Sequence, residues 1–301
     1  MDNPARTAIL RGMRHDADIL IVGGGLNGPA LALALAGAGL SAAVIDARPT
    51  ADRAEPGFDG RAYALAVASR RLLAAIGVWD DVAARAQPIL EIKASDGRAG
   101  EGAAPFFLHF DAAEIEEGPM GHMLEDRFLF AAFRDAMAAA PGLTLLAGET
   151  VVAQEVTAQG AVVTLASGRR VAGRLIVGCD GRGGGTAGRA GIARTGWGYG
   201  QTALVSAIEH ALPHHGIAHQ FFMPGGPLAI LPLPGNRSSI VWAEETGRAE
   251  AIEALSDAGY LAALRPRIGD FLGEIALPGT RFPCPLSLSL ATRLAAPRVV
   301  L

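Results

Sequence analysis

Asp16 to Arg48 reads DADILIVGGGLNGPALALALAGAGLSAAVIDAR, and this stretch decides the fold. The apolar run from Asp18 to Val22 predicts a strand, the glycines after it a tight turn, Pro29 to Ala38 a helix, and Ala42 to Asp46 a second strand. That order is the start of a βαβ unit. Within it, Leu26 to Ile45 imitates a membrane span, with only Asn27 and Ser41 strongly polar. Gly28, Pro29, Gly37 and Gly39 interrupt it, and an apolar strand runs straight into it, so a helix buried on all sides explains it better.

Gly23, Gly25 and Gly28 make GxGxxG between strand and helix, the context that gives the pattern meaning. The first glycine lets the chain turn, the second lets a diphosphate touch the backbone, and the third brings helix close to strand. The helix N-terminus adds partial positive charge at the same place. Asp46 ends the second strand eighteen residues past Gly28, where an acid can hydrogen-bond a ribose 2′-hydroxyl and repel a 2′-phosphate. Much further on, GRLIVGCDGRGGG places Asp180-Gly181 directly after an apolar strand. Taken singly such a pair is an ordinary turn. Coupled to GxGxxG, it can hold the sugar-alcohol arm and phosphate of a flavin dinucleotide.

Working outward, 301 residues suffice for about two domains with a core that needs no disulfides. Half the residues are hydrophobic and 19% charged, which excludes disordered, coiled-coil and collagen-like chains. Thirty acidic against 26 basic residues, a net of -4, offer no basic field, so nucleic acid is excluded as a partner. Cys179 and Cys284 match no zinc or CxxC spacing and are expected to be free thiols in a reducing cytoplasm.

Met1 to Arg14 is irregular. The stretch Gly60 to Gly77 predicts a helix from about Ala66, and Glu125 to Ala140 another, stopped by Pro141-Gly142. Thr144 to Val177 and the region from Thr202 onward read as short strands, interrupted by one helix from about Ala249 to Ile268. The fold class is therefore α/β: a Rossmann-like dinucleotide-binding domain with a mostly antiparallel β-sheet domain.

The sequence resembles the FAD-dependent aromatic hydroxylases of the p-hydroxybenzoate hydroxylase type, and within them the ubiquinone-biosynthesis hydroxylases of the 2-octaprenyl-6-methoxyphenol hydroxylase kind. The likeness spans nearly the whole chain, through ILIVGGGLNGPALALALAGAG, DGRAYALAVASRRLLAAIGVWD, LEDRFLFAAF, LIVGCDG and FPCPLSLSLATRLAAPRVVL. It also runs through TGWGYGQTALVSAIEH and HHGIAHQFFMPGGPLAILPL, of which GWGYGQTALV and GPLAILPL are the most selective parts. The resemblance implies FAD as cofactor and NAD(P)H as co-substrate. It assigns Gly23, Gly25, Leu26, Asn27 and Gly28 to the pyrophosphate, Asp46 to the adenosine ribose, and Asp180 with Gly181 to the ribityl-pyrophosphate region. Arg61 in GRAYAL and Arg127 in EDR match family arginines that lie against the cofactor.

The resemblance further implies a monooxygenase that reduces FAD, forms a flavin C4a-hydroperoxide with O₂ and hydroxylates a polyprenylated phenol on the path to ubiquinone. It divides the chain into a discontinuous FAD domain (1–75, 104–188, 285–301) and a sheet domain for substrate (76–103, 189–284), with Trp197, Tyr199 and Phe221 as pocket candidates. A cytoplasmic protein that visits the inner membrane face is expected, with a ubiquinone-biosynthesis assembly or a homo-oligomer as partners. Alternatives are another FAD-dependent oxidoreductase of this fold or a catalytically dead binding fragment.

The chain departs from the family in two places. After Asp-Gly the family shows a serine then an arginine, roughly DGxxSxxR, where ungapped alignment puts Gly184 and Ala187 here; a shift would bring in Arg189. The sequence also stops at Leu301, before the family's GDAAH segment, so a C-terminally truncated member with weakened FAD affinity is expected. His210, His214, His215 and His219 crowd together, but Pro213 and Gly216 predict a turn there, and no metal site is expected. No GxSxG, catalytic Cys-His or HExxH pattern occurs, so no catalytic side chain is named; a cofactor would carry the chemistry.

Overall fold

The computed structural model describes residues 15–49 and 61–301. The expected irregular segment Met1 to Arg14, and Gly60 at the start of the stretch expected to turn helical from about Ala66, lie outside them.

Strand β1 (Ile19–Val22), helix α1 (Asn27–Gly37) and strand β2 (Ala42–Asp46) form the anticipated unit. Alanine and leucine favour the helix, and Pro29 sits in its first turn, where a missing N–H costs nothing. Gly39, at φ +79°, ends it: the Leu40 N–H returns to the Leu35 carbonyl and the Gly39 N–H to Ala36. At eleven residues α1 is far short of a membrane span, and no helix among the described residues is long and apolar enough to cross one.

β1 lies at the centre of a six-stranded sheet. β2 and then Leu143–Ala147 follow on one side, and Leu175–Gly178, Val299–Val300 and Ala295–Ala296 on the other, all parallel except the last. Alternation sorts its residues between two cores. Ile21 and Val44 face α1 and the helix Asp126–Ala139, where Phe133 and Met137 are buried. Leu20, Val22, Ala43 and Ile45 face a three-stranded antiparallel sheet (Val151–Val156, Ala161–Leu165, Arg170–Gly173) through Val163, Leu165 and Val171.

The second large sheet has eight strands. Arg194–His210 pairs with Arg237–Glu245, followed by Gly226–Leu233, Ile217–Met223, Glu91–Arg98 and the edge strand Gly102–Asp111; Phe282–Ala291 and Ile275–Ala276 join Arg194–His210 on its other side. One face packs Leu204, Trp242, Leu228 and Phe221 under two helices, Thr246–Glu253 and Asp257–Ile268. The expected single helix over this region is divided because Ser256 starts a new one, its hydroxyl accepting from the Gly259 N–H at 3.3 Å. The anticipated domain boundaries at 103/104 and 284/285 both fall inside strands of this sheet. A small sheet of Ala62–Ala66, Gly121–Glu125 and Gln87–Ile89 lies between the two large sheets, with Leu65 and Leu124 in the core of the first and Ile89 and Met123 packed on Ala207, Ala218 and Leu233 of the second.

Glu125, fully buried, pins this junction. Its Oε2 accepts from Arg127 Nε at 2.7 Å and its Oε1 from Arg237 Nη2 at 2.8 Å, across 112 residues of sequence. Removing the carboxylate would leave two arginines facing each other at a packed junction. Glu125→Ala is expected to lower the unfolding free energy by about 2–4 kcal/mol, read by urea denaturation. A loss under about 0.5 kcal/mol, the size of an ordinary surface substitution, would mean that the junction does not depend on the pair.

His219 packs against Phe221 and Phe271, with ring centroids 5.9 and 4.6 Å away. Burial, reinforced by the Lys93 charge and opposed by Glu91, lowers its pKa to about 4. The unfolded chain takes up this proton near pH 6.5 and the folded chain only near 4, so acidification between the two favours unfolding. Wild-type stability should therefore drop relative to His219→Gln by about 2 kcal/mol between pH 7 and 4.5. A pH-independent difference in urea unfolding would contradict this.

Candidate functional site: a dinucleotide cleft

The carboxyl ends of β1, β2, Leu143–Ala147 and Leu175–Gly178 open on one cleft. It lies where β1 has neighbours leading off in opposite directions, the place where open α/β sheets bind ligands. Gly23, Gly25, Asp46, Asp180 and Gly181 all line it, although 134 residues of sequence separate Asp46 from Asp180. Its volume, ≈ 520 Å³, lies within the usual range for a small-molecule or cofactor site.

Three contacts explain the glycines. A Cβ on Gly23 would stand 2.2 Å from the Cys179 carbonyl oxygen, and the residue has φ +110°. A Cβ on Gly28 would stand 2.0 Å from the Gly23 oxygen, and one on Gly24 would strike Asp46 Oδ2 at 2.3 Å. Gly25 differs: a Cβ there meets nothing within 4 Å. The bend thus needs Gly23, Gly24 and Gly28 for its own packing, whereas Gly25 presents bare backbone to the open cleft. Leu26 packs partly into the helix-side core, and Asn27 is exposed at the first turn of α1.

Asp46 is nearly buried, and its Oδ1 accepts from the Arg48 N–H at 3.0 Å. Asp180 Oδ2 accepts from the Thr186 N–H at 2.9 Å and the Thr186 hydroxyl at 2.7 Å, capping the short helix Thr186–Arg189. Arg189 completes the group: Nη2 lies 4.0 Å from Asp180 Oδ2, and Nε donates to Gln154 Oε1 at 3.2 Å. The serine-to-arginine spacing missing from the ungapped alignment is therefore present two residues later, as Thr186 and Arg189. Cys179 lies in the cleft wall, and burial, with Asp180 beside it, raises its thiol pKa.

Arg61 and Arg127 do not line this cleft. Arg61 Nη2 is 3.6 Å from Asp126 Oδ2, and Tyr63 donates to Asp126 Oδ1 at 2.5 Å; burial and the Asp126 carboxylate push the Tyr63 phenol up. Arg127 is turned to Glu125 and lies over the Phe128 ring. Trp197 and Tyr199 are exposed on the first part of the long strand Arg194–His210. Phe221 points the other way from an open pocket: strand alternation buries it under the helices, and its neighbour Phe222 faces solvent.

His210 and His214 are tied into the fold. His210 Nδ1 and Nε2 meet the Leu212 carbonyl at 2.7 Å and Ser238 Oγ at 3.0 Å. His214 Nε2 meets the Leu233 carbonyl at 2.8 Å, and its Nδ1 accepts from the Gly216 N–H at 2.9 Å. Among the described residues no group of three His, Cys, Asp or Glu is placed to hold a metal. Sequence reasoning missed Arg48, Glu149 to Val151 and the Gly183 to Gly185 run, all of which line the cleft. The position of Arg48 just past Asp46 was the available signal for it.

An open glycine at a helix N-terminus, an acid at a strand end and an Asp-Gly turn opposite them are the layout expected of a dinucleotide site. Residues 16–271 match the family model of the FAD binding domain. The chain belongs to that family. Flavin-dependent monooxygenases are among the solved structures it is similar to in fold. It is 42% identical over 301 residues to the ubiquinone hydroxylase UbiL of Rhodospirillum rubrum, covering all of this chain and 69% of that one. It is 30% identical over 269 residues to the 3-demethoxyubiquinol 3-hydroxylase of Escherichia coli, 88% of this chain and 67% of that one. The chain thus spans about two thirds of the length of these curated relatives. In fold it is similar to PqsL, a probable FAD-dependent monooxygenase of Pseudomonas aeruginosa, with TM-score 0.77, 20% identity, and 95% and 78% of the two chains covered.

The glycine bend yields a paired prediction. Gly25→Ala should keep the melting temperature within a few degrees while weakening FAD binding at least tenfold, because its methyl group enters only the cleft. Gly23→Ala should instead destabilise the fold by about 3 kcal/mol or more through backbone overlap and strain. Equal effects of the two on melting temperature would refute the division of roles.

Proposed function

We propose that this chain carries the cofactor cleft and substrate sheet of a hydroxylase acting on polyprenylated phenols of ubiquinone biosynthesis. The observation that carries the reading is the 42% identity to UbiL along the whole chain, including both halves of the cleft. FAD bound there would supply the redox chemistry, taking electrons from NAD(P)H and using O₂ to place one oxygen atom on the ring.

The chain's own residues would bind and orient. The Gly25 backbone and the N-terminus of α1 would receive the diphosphate, and Asp46 would accept from the adenosine ribose. Asp180, held by Thr186 and Arg189, would keep the Gly181 to Gly185 loop shaped around the ribityl end. In this reading Arg61 stays near the cofactor by its link to Asp126, and Arg127 acts through Glu125 at the junction of the units. The cofactor unit would comprise residues to about 86 with 112–193 and the C-terminal strands; the sheet unit would take 87–111 and 194–291. Trp197 and Tyr199 would lie beside the reacting ring. Because such phenols reside in the bilayer, the protein would work at the inner membrane face, alongside other enzymes of the route.

The test is reconstitution with FAD and incubation with NADH or NADPH, ¹⁸O₂ and a prenylphenol. The expected result is phenol-dependent NAD(P)H oxidation and one ¹⁸O in the product by mass spectrometry. FAD binding with no labelled phenol from the protein would refute the proposed substrate class.

A further inference from the structure

The face of the large sheet that turns away from its helices carries a feature the cofactor cleft does not use. Val205, Val241, Ala229, Gln220, Ala94 and Leu108 are direct cross-strand partners in succession, each opposite the next, across six neighbouring strands. Their sequence neighbours Leu204, Trp242, Leu228 and Phe221 are buried on the helix side, so this row points to the opposite face. All six side chains are partly or fully accessible, and none is charged. At about 4.8 Å per strand, the row runs roughly 24 Å.

Its outer end lies on the edge strand Gly102–Asp111. There Phe106 is 88% exposed and Leu108 65%, and Phe110, on the same face, is also exposed. Three large apolar side chains in alternation on one accessible face are unusual, since such surface normally finds a partner. Alongside the row, Ile92 and Leu231 border the contact where Ile89 and Met123 of the small sheet pack on Ala207, Ala218 and Leu233. The band therefore starts beside the junction with the cofactor unit and ends at the sheet edge.

We propose that this band is the track for an isoprenoid chain, holding the tail of the phenol substrate from the unit junction out past Phe106, Leu108 and Phe110. The inference rests on the proposed function for the identity of the tail, and on the strand register for its location. Two observations favour one bound chain over a membrane surface. The row is continuous with the contact between the large sheet and the small one. It also carries no basic residue that would meet anionic headgroups: Lys93 and His109 lie on the helix face, both paired with Glu91.

The test compares two ligands on the FAD-loaded protein by isothermal titration, without turnover: a phenol bearing a three-unit isoprenoid chain, and the same phenol bearing a methyl group. The wild type should bind the tailed phenol at least tenfold more tightly. Leu108→Asp should cut that preference at least tenfold, and Phe106→Ser should cut it severalfold. Both positions are exposed, and circular dichroism would verify the fold; should the aspartate variant not fold, Leu108→Ser serves in its place. No tail preference in the wild type, or a preference that survives all these variants, would overturn the track even if both phenols are hydroxylated. A tail preference that responds to the variants without any hydroxylation would support the track and count against the proposed reaction instead. Loss of binding to phosphatidylethanolamine and phosphatidylglycerol vesicles with tail preference intact would overturn the track in favour of a membrane-docking face.

Discussion

The architecture depends on the backbone of Gly23 lying against the backbone of Cys179. The Cys179 N–H donates to the Val22 carbonyl at 2.7 Å, and no side chain of any size fits at Gly23. This contact fastens the first strand to one that arrives more than 150 residues later. It sets the glycine bend opposite the Asp-Gly turn, and without it the two halves of the cleft would be separate loops. Loop closure over so long a segment costs conformational entropy, so the contact forms only because buried apolar strands on both sides drive the sheet together.

The same alternation that builds the two cores also decides which residues are left for function. In the six-stranded sheet every β2 side chain is buried, so chemistry is confined to the strand ends. In the eight-stranded sheet one face is spent on packing with the helices, and the other keeps an accessible apolar row. At the junction the buried Glu125 carboxylate is satisfied by two arginines, Arg127 and Arg237. A buried carboxylate with two cationic partners tolerates little sliding, so the relation between the sheets is defined by charge as well as by fit.

Much of this was legible in the sequence wherever the signal is local. The β1–α1–β2 unit, Asp46 and the strands within Thr144 to Val177 and Thr202 to Glu245 follow from apolar runs punctuated by glycine and proline. Asp180 became meaningful only through its pairing with a motif far away, and the family resemblance supplied that pairing. What stayed hidden was set by register or by distant partners. Phe221 and Phe222 look alike in sequence, and period two sends one to the core and the other to solvent. Glu91–Arg98 and Gly102–Asp111 escaped notice as strands of the large sheet, because charges and glycines interrupt them. Arg127 was read as a cofactor contact, yet it is turned to Glu125, and Glu125 also holds Arg237, a partner no local pattern announces. Arg189 was displaced from its expected place by two extra residues in the glycine run, which only the three-dimensional cap on Thr186 makes plain.

The Cys179 sulfur, finally, bears on durability. Thiols react with oxidants and electrophiles as thiolates, and this one is held in its protonated form by burial and by the neighbouring carboxylate. A cysteine in the wall of a nucleotide cleft would ordinarily be a point of chemical attack. Here the burial that shapes the cleft and the carboxylate beside it both favour the less reactive, protonated thiol.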